Sequence, residues 1–402
     1  MRILFADAID ERGAQALRDL GHEVEINAGL TAANLSEHVD GVDILVVRST
    51  KVTAETVAAG KSLSLIVRAG AGTDNIDKTA ASAHGIYVCN VPGRNAVAVA
   101  ELTMGLLLAV DRRIADNTAD LRSGQWNKGL YSKADGILGR NLAIFGLGDI
   151  GMATATRARG FGMTVHALDR PNRSAATVRA CSELSIVLHP TQEALLAHAD
   201  VVSIHVPKAN ATIGMVDETF LGQMKPGAIL LNTSRGEVVD EAALIQAMND
   251  KGIRAGLDVY RDEPGGKSGT FTSALAQHPN VVGTHHIGAS TAQAQESVAD
   301  GTIEVITGFL NGHVINSVNL DLSRGGTSCV VIRHLDRVGV LAKIFAVLRA
   351  GRHNVQQMAN QVFDGGNAAV ATIHITGNSD DQLLDELEAI DEVLAASVMA
   401  AP

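Results

Sequence analysis

Short apolar runs recur along the first part of the chain at residues 2–6, 23–26, 44–47, 65–67 and 86–89, and stretches of helical character separate them. That alternation predicts a parallel sheet with crossover helices. A second set of runs follows at 142–145, 164–168, 201–205, 228–232, 255–257 and 281–284 and predicts a second doubly wound domain. Between the two sets, residues 97–121 carry apolar positions at helical spacing, with one stripe through Leu102, Leu106, Val110 and Ile114. A second amphipathic stretch, 292–310, is expected to return the chain to the first domain and make that domain discontinuous. After a polar, glycine-containing passage the pattern restarts: a strand at 328–332, a helix at 338–350, strands at 355–363 and 368–375 around Asp364-Gly-Gly-Asn367, a helix at 380–390 and a short strand at 395–399. The order βαββα with a final strand predicts a mostly antiparallel α+β module. The expected architecture is α/β, with two doubly wound, Rossmann-like parallel-sheet domains and a C-terminal α+β domain. Residues 1–98 and 288–322 form the first domain, 99–287 the second and 323–402 the third.

Composition narrows the function classes. The 402 residues are 46% hydrophobic and 19% charged, as in ordinary globular chains, and the net charge of −11 argues against a nucleic-acid or anionic-membrane partner. An anionic substrate would need a locally basic pocket. No apolar run has the length of a membrane span: residues 102–110 are too few and are flanked by Glu101 and Asp111. The N-terminal apolar run closes at Asp7 and does not read as a signal peptide. Cys89, Cys181 and Cys329 are far apart and outside C-x-x-C spacing, so neither a disulfide framework nor a metal site is expected, and the cytoplasm is the default location.

The strongest local signal is Gly146-Leu-Gly148-Asp149-Ile150-Gly151, directly after the apolar run Leu-Ala-Ile-Phe145 and before an alanine-rich helix. The first glycine permits a tight turn, the second lets backbone approach a pyrophosphate, and the third lets helix and strand pack closely. A second strand ends at Asp169, about 20 residues further on, where an acid accepts the ribose hydroxyls and repels a 2′-phosphate. The cofactor predicted is NAD rather than NADP.

Reduction of a carbonyl by such a cofactor needs an acid to protonate the oxygen and a cation to hold a carboxylate. Arg235 follows the strand at 228–232 and offers a planar fork suited to a carboxylate. Glu263 and His286 follow the next two strands; a carboxylate on one imidazole nitrogen fixes the tautomer and makes an acid/base pair. All three sit at carboxyl ends of strands, where open α/β sheets bind ligands.

In these motifs the chain resembles the D-isomer-specific 2-hydroxyacid dehydrogenases, and within them the phosphoglycerate-dehydrogenase branch. The resemblance rests on Gly-Leu-Gly-Asp-Ile-Gly, Asn-Thr-Ser-Arg235-Gly-Glu-Val-Val-Asp, Gly-Leu-Asp258-Val-Tyr-Arg-Asp-Glu263-Pro and His286-Ile-Gly-Ala-Ser-Thr291, in that order. It implies that Arg235 binds and polarises substrate, Glu263 orients His286, and His286 exchanges the proton. It further implies that Asp258 meets the nicotinamide amide and that Val206, Thr233, Ser234, Gly288 and Ala289 border the cofactor. Arg48 and Arg68 lie in segments similar to those whose arginines grip a 3-phosphate, and Lys128 after Trp126 is a further candidate cation. The C-terminal module is similar to an ACT domain, which implies amino-acid binding, serine by resemblance, with His334, Asp336 and Asn354 as candidate contacts. Asp149, Asp336 and Val338 depart from the family's usual residues, and His285 stands where it usually has Pro, so the choice of His286 over His285 rests on the Ile-Gly that follows. The implied activity is oxidation of 3-phospho-D-glycerate by a homodimer or homotetramer. Reduction of glyoxylate, hydroxypyruvate or 2-oxoglutarate is the alternative, and a non-catalytic NAD or amino-acid sensor is a second one.

Overall fold

The computed structural model describes residues 1–8, 11–171, 173–264, 268–320, 328–377 and 381–399. By internal contacts the chain separates into two compact units, Met1–Asn319 and Leu320–Pro402. The domain boundary expected at 322–323 lies outside the described residues.

The first unit holds two parallel sheets. One contains β1 (Arg2–Phe5), β2 (Glu23–Ile26), β3 (Ile44–Val47), β4 (Leu65–Arg68) and β5 (Tyr87–Asn90) in the order β2-β1-β3-β4-β5. The other contains β6 (Asn141–Phe145), β7 (Thr164–Leu168), β8 (Val187–His189), β9 (Val201–Ile204), β10 (Ile229–Asn232), β11 (Arg254–Leu257) and β12 (Val281–Gly283) in the order β12-β11-β10-β9-β6-β7-β8. Every residue of β3, β9 and β10 is buried, as expected of inner strands covered on both faces. Strand order reverses beside β1 and β3 in the first sheet and beside β6 and β9 in the second. These switch points open crevices at the carboxyl ends of the strands.

Two helices tie the sheets together. Ala96–Arg112 buries Leu106, Leu107 and Val110 in the core of the second sheet with Leu142, Ile144, Ile229 and Leu231. Ala292–Leu310 buries Val305 and Ile306 beside Ile3, Phe5, Ile44 and Leu65 of the first. The stripe expected to run on through Ile114 does not remain one helix. Arg113 adopts a left-handed conformation (φ 50°), ends the Ala96–Arg112 helix and begins Ile114–Arg122, and its guanidinium pairs with Asp116 at 2.8 Å. Ile114 is consequently exposed. Strand β8 was not among the expected strands; its apolar run Ile186-Val187-Leu188 is short, and two of the strand's three residues are exposed.

The second unit has β13 (Ser328–Leu335), β14 (Val355–Val362), β15 (Ala368–Ile375) and β16 (Val393–Met399) in an antiparallel sheet ordered β14-β15-β13-β16. Alternate residues of β15 are buried, the period of a sheet with one covered face. Its core joins Val330, Ile332, Ala371 and Ile373 to Ile344 and Leu348 of helix Val340–Ala350 and to Leu383 and Leu387 of helix Asp381–Glu388.

An unusual polar cluster lies at the β7–β8 edge. His166 Nδ1 and His189 Nε2 are 2.9 Å apart, His166 Nε2 lies 3.0 Å from Asn141 Oδ1, and the His198 ring packs 4.9 Å from that of His189. Burial, then the charges of its histidine neighbours, lowers the pKa of His166, and burial followed by His198 lowers that of His189. The unfolded chain therefore binds protons that the folded chain refuses once pH falls below the ordinary histidine value of about 6.5, and stability is lost as pH drops through that window. Thermal unfolding midpoints measured between about pH 7.5 and about pH 5 should fall. His166→Gln should flatten that dependence, and an unchanged slope would show that the pair contributes nothing to it.

Candidate active site

The glycine turn after β6 is built for close approach. Gly146 has φ 101°, and a Cβ there would lie 2.4 Å from the His205 carbonyl oxygen; one on Gly151 would lie 1.9 Å from the Gly146 carbonyl oxygen. Helices beginning after Thr191, Asp217, Asp240 and Thr291 receive a side-chain cap from that residue. Asp149–Gly160 does not: Gly148 precedes it with no capping side chain, and no atom lies within 4 Å of where its Cβ would stand. Its first-turn N–H groups thus have no capping side chain, the arrangement that suits a pyrophosphate. Asp149 and Ile150 open that helix. The Asp149 carboxylate turns toward Gly93, where a Cβ would meet it at 3.0 Å. Asp169 is exposed just past β7, and its N–H donates to the His189 carbonyl at 2.7 Å. These features fit NAD on geometric grounds.

The remaining candidates gather at the same strand ends. Val206 follows β9. Thr233 and Ser234 follow β10, with Thr233 buried and its hydroxyl 2.9 Å from that of Thr103. Ser234 N–H and Oγ both donate to Asn232 Oδ1. Asp258 follows β11 and is buried. It is 1% exposed, and its carboxylate accepts from Thr284 Oγ1 at 2.5 Å, Ile287 N–H at 2.9 Å and Gly288 N–H at 2.8 Å. Ala289 comes next in that loop.

Glu263 and His286, far apart in sequence, meet: Glu263 Oε2 lies 2.6 Å from His286 Nδ1, and Glu263 Oε1 accepts the Tyr260 N–H at 2.8 Å. A carboxylate only accepts, so Nδ1 carries the proton and Nε2 is left for chemistry. Burial by itself would raise the Glu263 carboxyl, but the hydrogen bonds from His286 and Tyr260 outweigh it and hold the group below the usual carboxylate range. His285, the other candidate, is exposed.

Arg235 is held across the cleft between the sheets. Its Nε donates to Asp74 Oδ2 at 2.8 Å and its Nη1 to the Ser234 carbonyl at 2.7 Å, while a Cβ on Gly72 would fall 1.9 Å from Nη2. Burial would raise Asp74, but the Arg235 hydrogen bond and charge lower it below its ordinary value. Arg68 ends β4, with its Nη1 packed where a Gly70 Cβ would intrude and its buried Nε without a hydrogen-bond partner. Burial first, then the charges of Arg235 and Arg48, pushes its guanidinium down to about 10, so it remains cationic at neutral pH. Asp7 accepts the N–H groups of Arg48, Ser49 and Thr50 at 2.7, 3.1 and 3.1 Å and shapes the loop carrying Arg48. A cavity of about 350 Å³ opens there, lined by Asp7, Arg48, Ala69, Gln295 and Glu296. Lys128 starts the short exposed helix Lys128–Tyr131.

Sequence reasoning passed over Asp7, Asp74 and Thr103. Asp74 had a signal in Gly70-Ala-Gly72-Thr-Asp74, where two glycines make room for guanidinium groups; Asp7 and Thr103 had none. In the second unit, His334 is not an open contact. It is 1% exposed, with its ring nitrogens 2.8 Å from the Leu335 carbonyl and 3.0 Å from Asn360 Oδ1. Asp336 and Asn354 are exposed.

Comparison with known proteins agrees with this arrangement. The family profile described as "D-isomer specific 2-hydroxyacid dehydrogenase, NAD binding domain" matches residues 104–288. D-3-phosphoglycerate dehydrogenase of Methanocaldococcus jannaschii is 36% identical over 332 residues, 81% of this chain and 61% of that protein. Hydroxypyruvate reductase of Thermotoga maritima is 39% identical over 308 residues, 76% of this chain and 97% of that protein. The crystal structure of the TT0316 protein from Thermus thermophilus superposes with a TM-score of 0.68 at 34% identity, covering 79% of this chain and 100% of the other. The chain spans about half to just under two-thirds of the length of the curated phosphoglycerate dehydrogenases it matches. Among the described residues, no helix is long and apolar enough to cross a membrane. With its glycine turn, uncapped helix and paired Glu263 and His286 at the carboxyl ends of one parallel sheet, the chain belongs to the D-isomer specific 2-hydroxyacid dehydrogenase family.

Proposed function

We propose that this chain oxidises 3-phospho-D-glycerate to 3-phosphohydroxypyruvate with NAD. With its pyrophosphate at the glycine turn, the dinucleotide would supply hydride acceptance and return. The protein's own groups do the rest: Arg235 grips the carboxylate, Glu263 holds Nδ1 of His286, and Nε2 of His286 takes the hydroxyl proton or returns it. The observation that carries the phosphorylated substrate is the convergence of Arg48 and Arg68 on Arg235. Burial first, then the charges of Arg235 and Arg48, lowers Arg68 against the opposing charges of Asp74 and Asp7, and among the described residues Arg68 Nε has no hydrogen-bond partner. Cations that repel one another around an unmatched donor call for a ligand with two anionic groups. The Glu263–His286 pair weighs against a non-catalytic sensor, since binding alone needs no acid/base couple.

The second reading is reduction of an unphosphorylated 2-oxo acid. The Thermotoga relative named hydroxypyruvate reductase, almost all of which this chain covers, favours it. Asp336 and Asn354 remain the candidate contacts for an amino-acid effector, with serine as the first ligand to try.

Turnover against phosphorylated and unphosphorylated 2-hydroxy and 2-oxo acids, with NAD(H) and NADP(H), tests the proposal. The expected result is a clear preference for the phosphorylated pair and for NAD(H), the latter because Asp169 repels a 2′-phosphate. Equal or better use of unphosphorylated hydroxypyruvate or glyoxylate would favour the second reading.

A further inference from the structure

We propose that Asp74 is a positioning residue for Arg235: it reaches across the cleft from the first sheet and sets the direction of the fork that Arg235 presents to a substrate carboxylate. The proposal rests on the reading of Arg235 as that fork. Arg235 follows β10 of the second sheet, whereas Asp74 lies in the loop 69–77 after β4 of the first. That loop is pinned from several sides. The Ala71 carbonyl accepts Asn90 Nδ2 at 2.6 Å, and the Thr73 carbonyl and hydroxyl accept Lys78 Nζ at 3.1 and 3.2 Å. Asn75 Nδ2 donates to the Thr50 carbonyl at 2.8 Å, the Asn75 carbonyl accepts the Val52 N–H at 2.8 Å, and the Asp77 N–H reaches the Val52 carbonyl at 3.0 Å. Asp74 therefore projects from a braced platform, so little further backbone freedom is lost when a second side chain is held against it.

Arg235 meets Asp74 through Nε, 2.8 Å from Asp74 Oδ2, and gives one Nη1 hydrogen to the Ser234 carbonyl at 2.7 Å. A guanidinium carries five N–H donors, so one on Nη1 and both on Nη2 remain for a ligand. Nη2 lies over Gly72, where a Cβ would come within 1.9 Å and drive the group away. Asp74, the Ser234 carbonyl and Gly72 thus fix the plane of the guanidinium and leave donors free on two neighbouring nitrogens, the pattern that grips a carboxylate with both its oxygens. Burial by itself would raise the Asp74 carboxyl, but Arg235, then Lys78 and Lys208, hold it below its ordinary value, and it meets Arg235 as an anion. The two side chains are 28% and 47% exposed, and an ion pair so open to water contributes little to stability. Its consequence is orientation. Because the partners belong to different sheets, the fork is fully aimed only while the cleft is closed, so carboxylate binding and closure favour one another.

The test is a double-mutant cycle in the full chain with Asp74→Ala, Asp74→Asn, Arg235→Ala and the double variant Asp74→Ala/Arg235→Ala. It reads kcat and KM separately, the affinity of the NADH complex for oxamate, the NADH Kd by fluorescence and the unfolding midpoint. Asp74→Ala should lower kcat/KM on the order of ten- to a hundredfold for phosphorylated and unphosphorylated 2-oxo acids alike, and weaken oxamate by a comparable factor. The NADH Kd and the unfolding midpoint should stay near wild type. Asp74→Asn, whose amide oxygen still accepts from Nε, should recover part of the loss. Because Asp74 acts through Arg235, adding Asp74→Ala to Arg235→Ala should cost no more than about twofold further. Unchanged kcat/KM and oxamate affinity in Asp74→Ala would overturn the proposal, as would losses that simply multiply in the double variant. A lowered unfolding midpoint with Asp74→Asn no better than Asp74→Ala would also overturn it, by making Asp74 a packing residue of its loop. Wild-type oxamate affinity in Arg235→Ala would defeat the reading of Arg235 itself, whereas a loss there without one in Asp74→Ala defeats this proposal alone.

Discussion

His286→Asn is expected to lower turnover by about 10² to 10⁴-fold with whatever 2-oxo acid the wild-type protein accepts, while NADH binding stays close to wild type. Asparagine can accept or donate a hydrogen bond at this place but cannot carry a proton to the carbonyl oxygen near neutral pH. The geometry separates the two neighbouring histidines clearly. His286 Nδ1 is 2.6 Å from Glu263 Oε2, which leaves Nε2 to act. His285→Asn should therefore change turnover by no more than about threefold. Equal losses at both positions would show that the Glu263 contact does not mark the proton carrier. The pH dependence follows from Glu263. Because its carboxyl is held below the ordinary range, it keeps its charge as pH falls past the usual glutamate value of about 4.3. Protonation of Glu263 should therefore not limit activity until the pH falls below that value. Glu263→Gln should lower kcat, since an amide that can also donate no longer fixes the proton on His286 Nδ1.

The fold was largely legible because its signals are local and repeated. Apolar runs such as 44–47 and 201–205 became fully buried inner strands, and the glycine spacing from Gly146 to Gly151 states a backbone requirement directly. Arg235, Glu263 and His286 stand out as candidates because each follows a recognisable strand. What escaped was long-range pairing. Asp74 and Arg235 are separated by 161 positions and meet only because two sheets face one cleft. The Asp258 motif names the residue but not the direction of its carboxylate; only the tertiary position of Ile287 and Gly288 shows which N–H groups it accepts. Arg113 and β8 were missed for a different reason. A single left-handed residue leaves helical periodicity almost unchanged in sequence, and β8 offers only the short apolar run Ile186-Val187-Leu188, directly after the helix Ala175–Glu183.

The arginine cluster separates two kinds of loss. Arg235→Lys keeps the charge but gives up the planar fork, the Nε donated to Asp74 and the close packing over Gly72. Its kcat/KM should drop on the order of 10²-fold or more for phosphorylated and unphosphorylated acids alike, since both present the same carboxylate. Arg48→Ala and Arg68→Ala should instead act selectively. A hydrogen bond to a charged group contributes about 1.5–3 kcal/mol, so each change should lower kcat/KM for the phosphorylated substrate by roughly ten- to a hundredfold. For an unphosphorylated acid the effect should be several times smaller. Arg68→Ala has the more informative second consequence. Burial of the Arg68 guanidinium is the larger cost, and repulsion by Arg235 and Arg48 adds to it against the attraction of Asp74 and Asp7, so the variant should unfold at the same or a higher temperature even as it loses substrate. Lower activity accompanied by lower stability would mean that Arg68 is a packing residue of β4. A phosphate preference unchanged in both alanine variants would remove the phosphate pocket and leave Arg235 to serve a simple 2-oxo acid.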